Sequence, residues 1–292
     1  MQTLYQYLGM GGGKRGLFSW ELFNILLNQL GEMKFIPRVV VLYHGGEPLL
    51  NKNLCTFVRV LMDYGVKKTA IVTNTSLLAK ETIKDLLDSG LTDLTASYDG
   101  TSAKENDYIR TGANFINDSQ NLLNLLKLKK AQGSPLNITI SNVQVYTKNE
   151  VKRLGNGYSD YSLQNMPSYI KERFKEFEDD LEYTSFPAMV WPGYDIISSP
   201  YKIFVNECSD LSKICSLAFE TITVLANGNV VPCCYDLRGD CVFGNILNNS
   251  IIDIWNNSKY TRFRDNLKKG FYKDNGICAE CIIYSDKFLI KN

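Results

Sequence analysis

An alternation of apolar runs and amphipathic segments governs the first two-thirds of this 292-residue sequence. Residues 38–44 (RVVVLYH) form a continuous apolar run, the pattern of a parallel strand that is buried on both faces. Similar runs that we predict as strands lie at 69–74, 91–100 and 135–146. Between them, apolar residues recur at helical spacing, which predicts helices over 20–30 (with Ser19 as N-cap), 54–65, 79–90 and 113–133. This alternation predicts an α/β fold with a parallel sheet.

The alternation weakens from about residue 148, where a helix with a charged face is predicted over 162–183. Residues 185–191 are consistent with a sixth strand, and Pro187 confines it to a sheet edge or a bulge. Pro192, Gly193 and Pro200 mark a boundary near residue 200. We therefore predict two domains, residues 1–200 and residues 201–292.

Charge and hydropathy exclude several kinds of partner. Lys and Arg number 32 against 31 Asp and Glu, so no basic field indicates nucleic acid or an anionic membrane. No stretch approaches the ~18 apolar residues of a membrane span. The start, MQTLYQYLGM, lacks the charged segment and apolar core of a signal peptide. We expect a cytoplasmic protein that has no nucleic-acid or membrane partner.

Cysteine is concentrated near one end of the chain, because seven of the eight cysteines lie between Cys208 and Cys281. Disulfide scaffolds are short, secreted and rich in cysteine throughout, so this distribution favours metal ligation in a reducing compartment. A hairpin that turns at 227–229 would bring Cys215 and Cys233 close together, and Cys278 and Cys281 form a C-x-x-C pair, so these four are candidate ligands of one metal.

Two metals suit such a set. Four thiolates can hold a [4Fe–4S] cluster, whereas zinc usually takes two C-x-x-C pairs, and only one is present here. Spacing alone leaves both metals open. Either Cys234 or Cys241 could replace one of the four ligands, but too few cysteines remain for two complete clusters in this region.

A Gly-Gly-Glu turn follows the apolar run at 38–44. Ligands of parallel α/β sheets bind where strands end at their carboxyl edge, and Gly45 and Gly46 would let a ligand approach the backbone there. Glu47 adds a charge and Pro48 stiffens the exit. A simple turn between strand and helix is the alternative. For His44, the single histidine of the sequence, we predict a pocket-lining or packing role.

Three segments together carry a family resemblance. They are YHGGEPLL (43–50), TNTSLL (73–78) and ASYDGTSAKENDYIRTG (96–112). In order and spacing they resemble the radical S-adenosylmethionine (SAM) superfamily, in the branch with a C-terminal SPASM or twitch auxiliary-cluster domain. Toward the C-terminus the cysteine spacing and Gly244, Asn245 and Trp255 resemble that domain as well. The resemblance implies a partial (β/α)6 TIM-like barrel followed by a small, loop-rich cysteine-cluster domain, and it favours iron–sulfur over zinc.

The resemblance also implies roles for residues of the barrel. Gly45, Gly46 and Glu47 would contact the ammonium of SAM. Arg110 would pair with the carboxylate of SAM, which guanidinium geometry suits. Three further residues would face the nucleoside or the substrate, unless they are ordinary turn residues: Asn74, Ser97 and Asp99.

One part of the family's site is missing from the sequence. The family holds its SAM-binding cluster with a C-x-x-x-C-x-x-C loop after the first strand, and no cysteine precedes Cys55. In one register Thr3 and Gln6 occupy positions of that motif, and in another the chain begins after it. We expect the first barrel strand to be absent too, which would leave an apolar strand edge unpaired. Truncation is therefore favoured over degeneration, and an in-frame motif upstream would distinguish them.

The resemblance implies a radical SAM/SPASM-type enzyme that uses a SAM-derived 5′-deoxyadenosyl radical for hydrogen abstraction, with peptide or protein maturation as one possible task. Its cofactors would be an auxiliary [4Fe–4S] cluster and SAM, with a SAM-binding cluster only if a missing N-terminus supplies it. The substrate would be a peptide or a small molecule, and the electron donor a protein such as flavodoxin or ferredoxin. The alternatives are a non-catalytic iron–sulfur-binding member and a zinc-stabilised α/β protein.

Overall fold

The computed structural model describes residues 3–6, 16–153, 166–192, 201–205, 214–281, 284 and 287–291. Strands and helices alternate over its first half. The strands are β1 (Thr3–Gln6), β2 (Val39–Val41), β3 (Lys68–Thr73), β4 (Asp93–Asp99), β5 (Asn137–Gln144), β6 (Tyr146–Thr147), β7 (Glu182–Pro187), β8 (Lys202–Val205), β9 (Thr221–Val224), β10 (Asn229–Val231), β11 (Gly244–Asn245) and β12 (Lys287–Lys291).

The helices lie between these strands in the sequence. The α-helices are α1 (Trp20–Glu32), α2 (Leu54–Asp63), α3 (Lys80–Asp88), α4 (Ala103–Ile109), α5 (Phe115–Gln132), α6 (Lys148–Arg153), α7 (Ser168–Phe174), α8 (Leu217–Glu220), α9 (Ile251–Asn256) and α10 (Ser258–Lys268). Short 3₁₀ helices span Pro48–Leu50, Lys175–Asp180 and Tyr272–Glu280. The strands predicted from the apolar runs correspond to β2, β3, β4 and β5, so these predictions are confirmed.

The region where the alternation weakens is more broken than predicted. The helix expected over 162–183 is α7 followed by the 3₁₀ helix Lys175–Asp180, and its first residues lie outside the described part. The predicted sixth strand is β7, which pairs with β5 in parallel. Pro187 is the last residue of β7, where a missing N–H costs no ladder bond.

The chain divides into two compact units. The first comprises Met1–Ile71, Ser89–Leu91 and Ser212–Glu280. Its strands run in the order β11-β10-β9-β1-β2-β3. The pairs β9–β1, β1–β2 and β2–β3 are parallel, whereas β9–β10 and β10–β11 are antiparallel.

This unit corrects one expectation, that the first barrel strand is missing. Thr3–Gln6 form β1, which pairs in parallel with β2 and, on its other side, with β9. The edge of β2 is therefore covered by main-chain hydrogen bonds, as a buried apolar strand requires. Thr3 and Gln6 thus belong to a strand and not to a cluster-binding loop. The sequence between β1 and α1 contains no cysteine.

Side chains of α1 connect distant parts of the first unit. Phe23 stacks on Phe57 of α2 with ring centroids 4.3 Å apart. The Gln29 amide donates to the Ile246 carbonyl at 3.0 Å, and its oxygen accepts the Ile251 N–H at 2.8 Å. Gln29 therefore satisfies backbone groups around the start of α9, more than 200 residues away in sequence.

The second unit comprises Val72–Asp88, Thr92–Leu211 and Cys281–Asn292. Within it β4, β5 and β7 pair in parallel, and β6, β12 and β8 form a separate sheet. On one face of β4, Tyr98 packs against Phe115 of α5 and Phe174 of α7. The opposite face is half-buried and carries hydroxyl groups. Its serines and threonines are Thr95, Ser97, Thr139, Ser141 and Thr184.

No helix in the described residues has both the length and the apolar character that a membrane crossing requires. The proposed domain boundary near residue 200 falls on residues 193–200, which lie outside the described part of the chain. The division into residues 1–200 and 201–292 therefore stays a prediction.

Candidate functional site

Three residues separate the end of β2 from the Gly-Gly-Glu turn, which begins at Gly45. Gly45 has φ of 65°, a left-handed conformation that favours glycine. Oε1 of Glu47 accepts the Leu49 N–H at 3.1 Å and so caps the 3₁₀ helix Pro48–Leu50. A carboxylate has four lone-pair positions, so this cap uses only part of the accepting capacity of Glu47.

His44, directly before the turn, is 3% exposed. Its Nε2 hydrogen-bonds with the backbone carbonyl of Cys234, and because a carbonyl oxygen only accepts, Nε2 carries the proton. Burial lowers the pKa of His44 to about 4, while the hydrogen bond to Cys234 acts in the opposite direction. The ring is therefore neutral at pH 7. It connects the turn to the residue beside Cys233.

The hairpin predicted at Asn227-Gly228-Asn229 is present between β9 and β10. Gly228 has φ of 83°, and a Cβ there would lie 2.7 Å from Oδ1 of Asn245. The Asn245 amide donates to the Asn227 carbonyl at 3.0 Å and to Oδ1 of Asn229 at 2.9 Å. Gly228 and Asn245 therefore fit together, which explains why the sequence has a glycine and an asparagine at these positions.

The thiols predicted as ligands are mostly buried. Cys233, Cys278 and Cys281 are buried, and Cys215 is half-buried. Burial raises the pKa of the Cys215 thiol, although the N–H groups of Leu217 and Ala218, which donate to its sulfur, act in the opposite direction. Without a metal this thiol is neutral, and a metal that binds it must displace the proton.

The two possible substitute ligands are also desolvated. Burial is the main reason that the pKa values of Cys234 and Cys241 are raised to about 11. The loop that carries Cys241 is held by Asp236, which is 2% exposed. The Asp236 carboxylate accepts the N–H groups of Asp240 and Cys241, both at 2.9 Å. Sequence reasoning missed Asp236.

The chemistry of these donors fits an iron–sulfur cluster, because clusters are held by cysteine thiolates in surroundings poor in water. The Tyr260 hydroxyl is buried and has no hydrogen-bond partner among the described residues, and the thiols of Cys233, Cys241 and Cys215 contribute to its raised pKa. In the same residues no three Cys, His, Asp or Glu side chains are grouped closely enough to hold a metal ion. The ligand set of four cysteines stays a prediction.

The remaining site candidates belong to the second unit. Oδ1 of Asn74 accepts both the N–H of Ser76 at 3.0 Å and its hydroxyl at 2.7 Å, the arrangement of a turn residue. Ser97 lies on the half-buried face of β4. Asn74 thus has the hydrogen bonds of a turn residue. Contact of Asn74 or Ser97 with a nucleoside or a substrate stays a prediction.

Asp99 and Arg110 form an ion pair in this unit. Nε of Arg110 donates to Oδ2 of Asp99 at 2.7 Å, and Oδ1 of Asp99 accepts the Val143 N–H at 3.2 Å. The Tyr169 hydroxyl donates to the Asp99 carbonyl at 2.9 Å. Sequence reasoning did not foresee this pairing. Because a guanidinium has five N–H donors, the pair leaves the predicted role of Arg110 toward a carboxylate untested.

Two sequence comparisons find proteins that are similar to this chain. A family profile for the SPASM domain, an iron–sulfur cluster-binding domain, matches residues 215–282. The S-adenosyl-L-methionine-dependent 2-deoxy-scyllo-inosamine dehydrogenase of Niallia circulans is 30% identical over 115 residues. This alignment covers 38% of the present chain and 46% of the dehydrogenase, so it spans less than half the length of that relative.

Several solved structures share the fold. BtrN in complex with AdoMet and 2-DOIA has a TM-score of 0.54 at 19% identity, covering 96% of this chain and 92% of BtrN. Streptococcus suis SuiB bound to the precursor peptide SuiA has a TM-score of 0.57 at 16% identity, covering 90% and 66%. Native anSMEcpe with AdoMet and the Cp18Cys peptide has a TM-score of 0.56 at 15% identity, covering 92% and 84%. These similarities confirm the predicted α/β partial-barrel fold.

Proposed function

We propose that the chain is a SPASM-type radical SAM enzyme, because the SPASM profile matches residues 215–282 and a SAM-dependent dehydrogenase aligns with 38% of the chain. Its cofactors would be SAM and an auxiliary [4Fe–4S] cluster. Its reaction would be hydrogen abstraction from a peptide or a small molecule. Its location would be the cytoplasm, where thiols stay reduced, and its electron donor a protein such as flavodoxin or ferredoxin.

One observation carries this proposal. The hydrogen bond between His44 and the Cys234 carbonyl joins the Gly-Gly-Glu turn to the cysteine hairpin within one compact unit. This hydrogen bond makes the turn proposed to bind SAM and the loop proposed to hold the auxiliary cluster neighbours, which suits an enzyme that uses both groups. An α/β protein stabilised by zinc would not need this proximity.

The residues of the chain have distinct tasks in this proposal. The carboxylate of Glu47 and the backbone of Gly45 and Gly46 bind the SAM ammonium, and Arg110 binds the SAM carboxylate. Asn74, Ser97 and Asp99 orient the nucleoside or the substrate. A reduced [4Fe–4S] cluster, when bound, supplies the electron that cleaves SAM to the 5′-deoxyadenosyl radical. Four cysteines hold the auxiliary cluster: Cys215, Cys233, Cys278 and Cys281.

The second unit favours a polar substrate. The half-buried face of β4, β5 and β7 carries the hydroxyl groups of Thr95, Ser97 and Ser141. Such a surface suits a polyhydroxylated small molecule or a peptide backbone better than an apolar compound, because hydroxyl groups both donate and accept hydrogen bonds. SuiB was crystallised with a peptide and BtrN with 2-DOIA, so the fold accommodates both classes in its relatives.

The test is anaerobic reconstitution of the protein with iron and sulfide, followed by quantitation of both and of 5′-deoxyadenosine formed from SAM. About eight irons per chain together with 5′-deoxyadenosine would support the enzyme. About four irons without 5′-deoxyadenosine would overturn catalysis by this chain and keep the auxiliary cluster. Zinc without iron or sulfide would overturn both and support a zinc-stabilised protein.

A non-catalytic iron–sulfur-binding member is the second candidate, and one observation favours it. The sequence has no cysteine before Cys55, so the three ligands of the SAM-cleaving cluster are not found between β1 and α1. In that case the Gly-Gly-Glu turn would still bind SAM. SAM binding without cleavage in the fully reconstituted protein would identify this candidate.

A further inference from the structure

The side chain of Tyr260, near the start of α10, is fully buried. Its hydroxyl has no hydrogen-bond partner among the described residues. A buried hydroxyl that lacks a partner destabilises the fold, so such groups usually have a reason to be present. Phenylalanine would fill the same volume without this cost, which makes a polar partner for Tyr260 the natural expectation.

Packing fixes the tyrosine ring beside the cysteine loop. The ring stacks on Phe243 with centroids 4.0 Å apart and planes 9° from parallel. Nearby, Asn257 Nδ2 donates to the Phe243 carbonyl at 2.9 Å and Lys259 Nζ donates to the Val242 carbonyl. The start of α10 is therefore tied to the two residues that follow Cys241. Tyr260 has little freedom to turn its hydroxyl elsewhere.

The ring contact with Phe243, two residues after Cys241, places Tyr260 beside the cysteine loop. Burial raises the pKa of Tyr260, Arg264 lowers it, and the thiols of Cys233, Cys241 and Cys215 raise it further. A tyrosine hydroxyl keeps its proton at neutral pH, because its ordinary pKa is about 10. It can therefore act as a hydrogen-bond donor toward sulfur but not as a base.

Arg264 strengthens this donor. Its guanidinium lies 4.3 Å from the Tyr260 ring centroid and 4.4 Å from that of Trp255. It also donates a hydrogen bond to the Trp255 carbonyl, which fixes its position. A cation over the ring withdraws electron density and makes the O–H bond more polar. Trp255 thus has a specific task in holding the cation.

We propose that the Tyr260 hydroxyl donates a hydrogen bond to a sulfur of the auxiliary cluster and thereby raises the reduction potential of that cluster. The acceptor is either a ligand thiolate or a bridging sulfide. Reduction adds negative charge to the sulfurs, so a donor in this position stabilises the reduced state more than the oxidised state. This inference rests on the proposed function, because it presupposes a cluster held by the SPASM thiols.

The experiment compares the reconstituted wild type with Tyr260→Phe, using iron and sulfide content and a redox titration followed by EPR. We expect equal cluster content and an equilibrium constant for one-electron reduction about tenfold smaller in the variant, which is ~59 mV in midpoint potential. Tyr64→Phe is the matched control, because it removes another phenol of the same unit, one that donates to the Phe35 carbonyl. Its potential should equal that of the wild type.

Two further measurements keep the inference falsifiable if Tyr260→Phe does not load a cluster. Replacing Tyr260 with 3-fluorotyrosine keeps the shape and strengthens the donor, so the potential should rise. In D2O the iron–sulfur stretching bands of the wild type should shift, and they should shift less in Tyr260→Phe. Midpoint potentials equal to that of the wild type in both Tyr260→Phe and the 3-fluorotyrosine protein would overturn the inference, although they would leave the presence of the cluster supported. A wild type that binds no iron and sulfide would instead overturn the proposed function.

Discussion

Nε2 of His44 donates a hydrogen bond to the backbone carbonyl of Cys234, a residue 190 positions later in the sequence. His44 directly precedes Gly45, and Cys234 directly follows Cys233. The turn predicted to bind SAM and the loop predicted to hold the auxiliary cluster are thus neighbours in one packed unit. Acid should destabilise the folded state here, because burial disfavours protonation of the imidazole.

The first prediction is a loss of stability in mild acid that depends on His44. Its pKa is lowered from 6.5 to about 4 in the folded state, so below pH 6.5 the unfolded state takes up a proton that the folded state does not. The contribution of this group to stability is complete above pH 6.5 and falls as the pH decreases toward 4. The expected loss is about 3 kcal/mol in the free energy of unfolding.

Urea unfolding of the metal-free protein under reducing conditions, between pH 7.5 and 4, measures this loss. His44→Gln is the matched variant, because its amide can still donate to the Cys234 carbonyl but does not titrate. The difference in unfolding free energy between wild type and variant should change across this pH range. Parallel pH profiles for the two proteins would contradict the prediction.

The second prediction concerns the ion pair of Asp99 and Arg110. The two side chains are only 13% and 29% exposed, and the hydrogen bond is 2.7 Å long. We expect a double-mutant cycle of Asp99→Asn and Arg110→Met to give a coupling energy of ~1 kcal/mol. If Arg110 also binds the SAM carboxylate, Arg110→Met should weaken SAM binding by about tenfold.

Lys84 and Asp88 provide the control pair. They lie 3.3 Å apart on α3, but their side chains are 71% and 47% exposed. Solvent screens such pairs, so the same cycle should give at most ~0.5 kcal/mol, and Lys84→Met should leave SAM binding unchanged. Equal coupling energies for both pairs would show that burial does not strengthen the Asp99–Arg110 interaction.

The third prediction separates two tasks of Glu47. Its carboxylate caps the turn by accepting the Leu49 N–H, and its charge is proposed to attract the SAM ammonium. Glu47→Gln keeps an oxygen for the cap and loses the charge, so thermal stability should remain while SAM binds about tenfold more weakly. Glu47→Ala should in addition lose ~1 kcal/mol of stability. Calorimetric titration of SAM into the reconstituted protein measures this affinity. An unchanged affinity in Glu47→Gln would show that the charge of Glu47 does not contribute to SAM binding.

Local patterns predicted much of this fold from the sequence. The strands β2 to β5 are short apolar runs between helical segments. The hairpin at Gly228 is predicted by its Asn-Gly dipeptide. Strand β1 was not expected, because the four residues Thr3–Gln6 have no distinctive pattern. Its existence depends on pairing with β2 and β9, a non-local interaction that periodicity cannot reveal.

The candidate site shows the same limit. Glycines and cysteines with special spacing were identified, because their chemistry restricts what can replace them. Tyr260 was missed, since one tyrosine among many aromatic residues carries no signal until its burial and its neighbours are known. The pairing of Asp99 with Arg110 could have been suspected from opposite charges 11 residues apart. Whether the two side chains meet depends on the path of the chain between β4 and the end of α4, which the sequence does not show.

The fourth prediction tests whether the hairpin shapes the cluster site. In Gly228→Ala the new Cβ would lie 2.7 Å from Oδ1 of Asn245 and 3.3 Å from Cδ1 of Leu22, in a backbone conformation with φ of 83°. Gly270 has a similar φ of 77° with no atom within 4 Å of an added Cβ. Gly270→Ala should therefore cost only the backbone strain of about 1 kcal/mol.

Gly228→Ala should cost at least ~2 kcal/mol more than Gly270→Ala, because Asn245 must move and release the carbonyl of Asn227. That movement displaces the strand that leads to Cys233. Iron bound after reconstitution should therefore fall in Gly228→Ala and stay at the wild-type level in Gly270→Ala. If both variants bind iron equally although Gly228→Ala is less stable, the cysteines reach their positions without the hairpin, and the match between Gly228 and Asn245 serves stability alone.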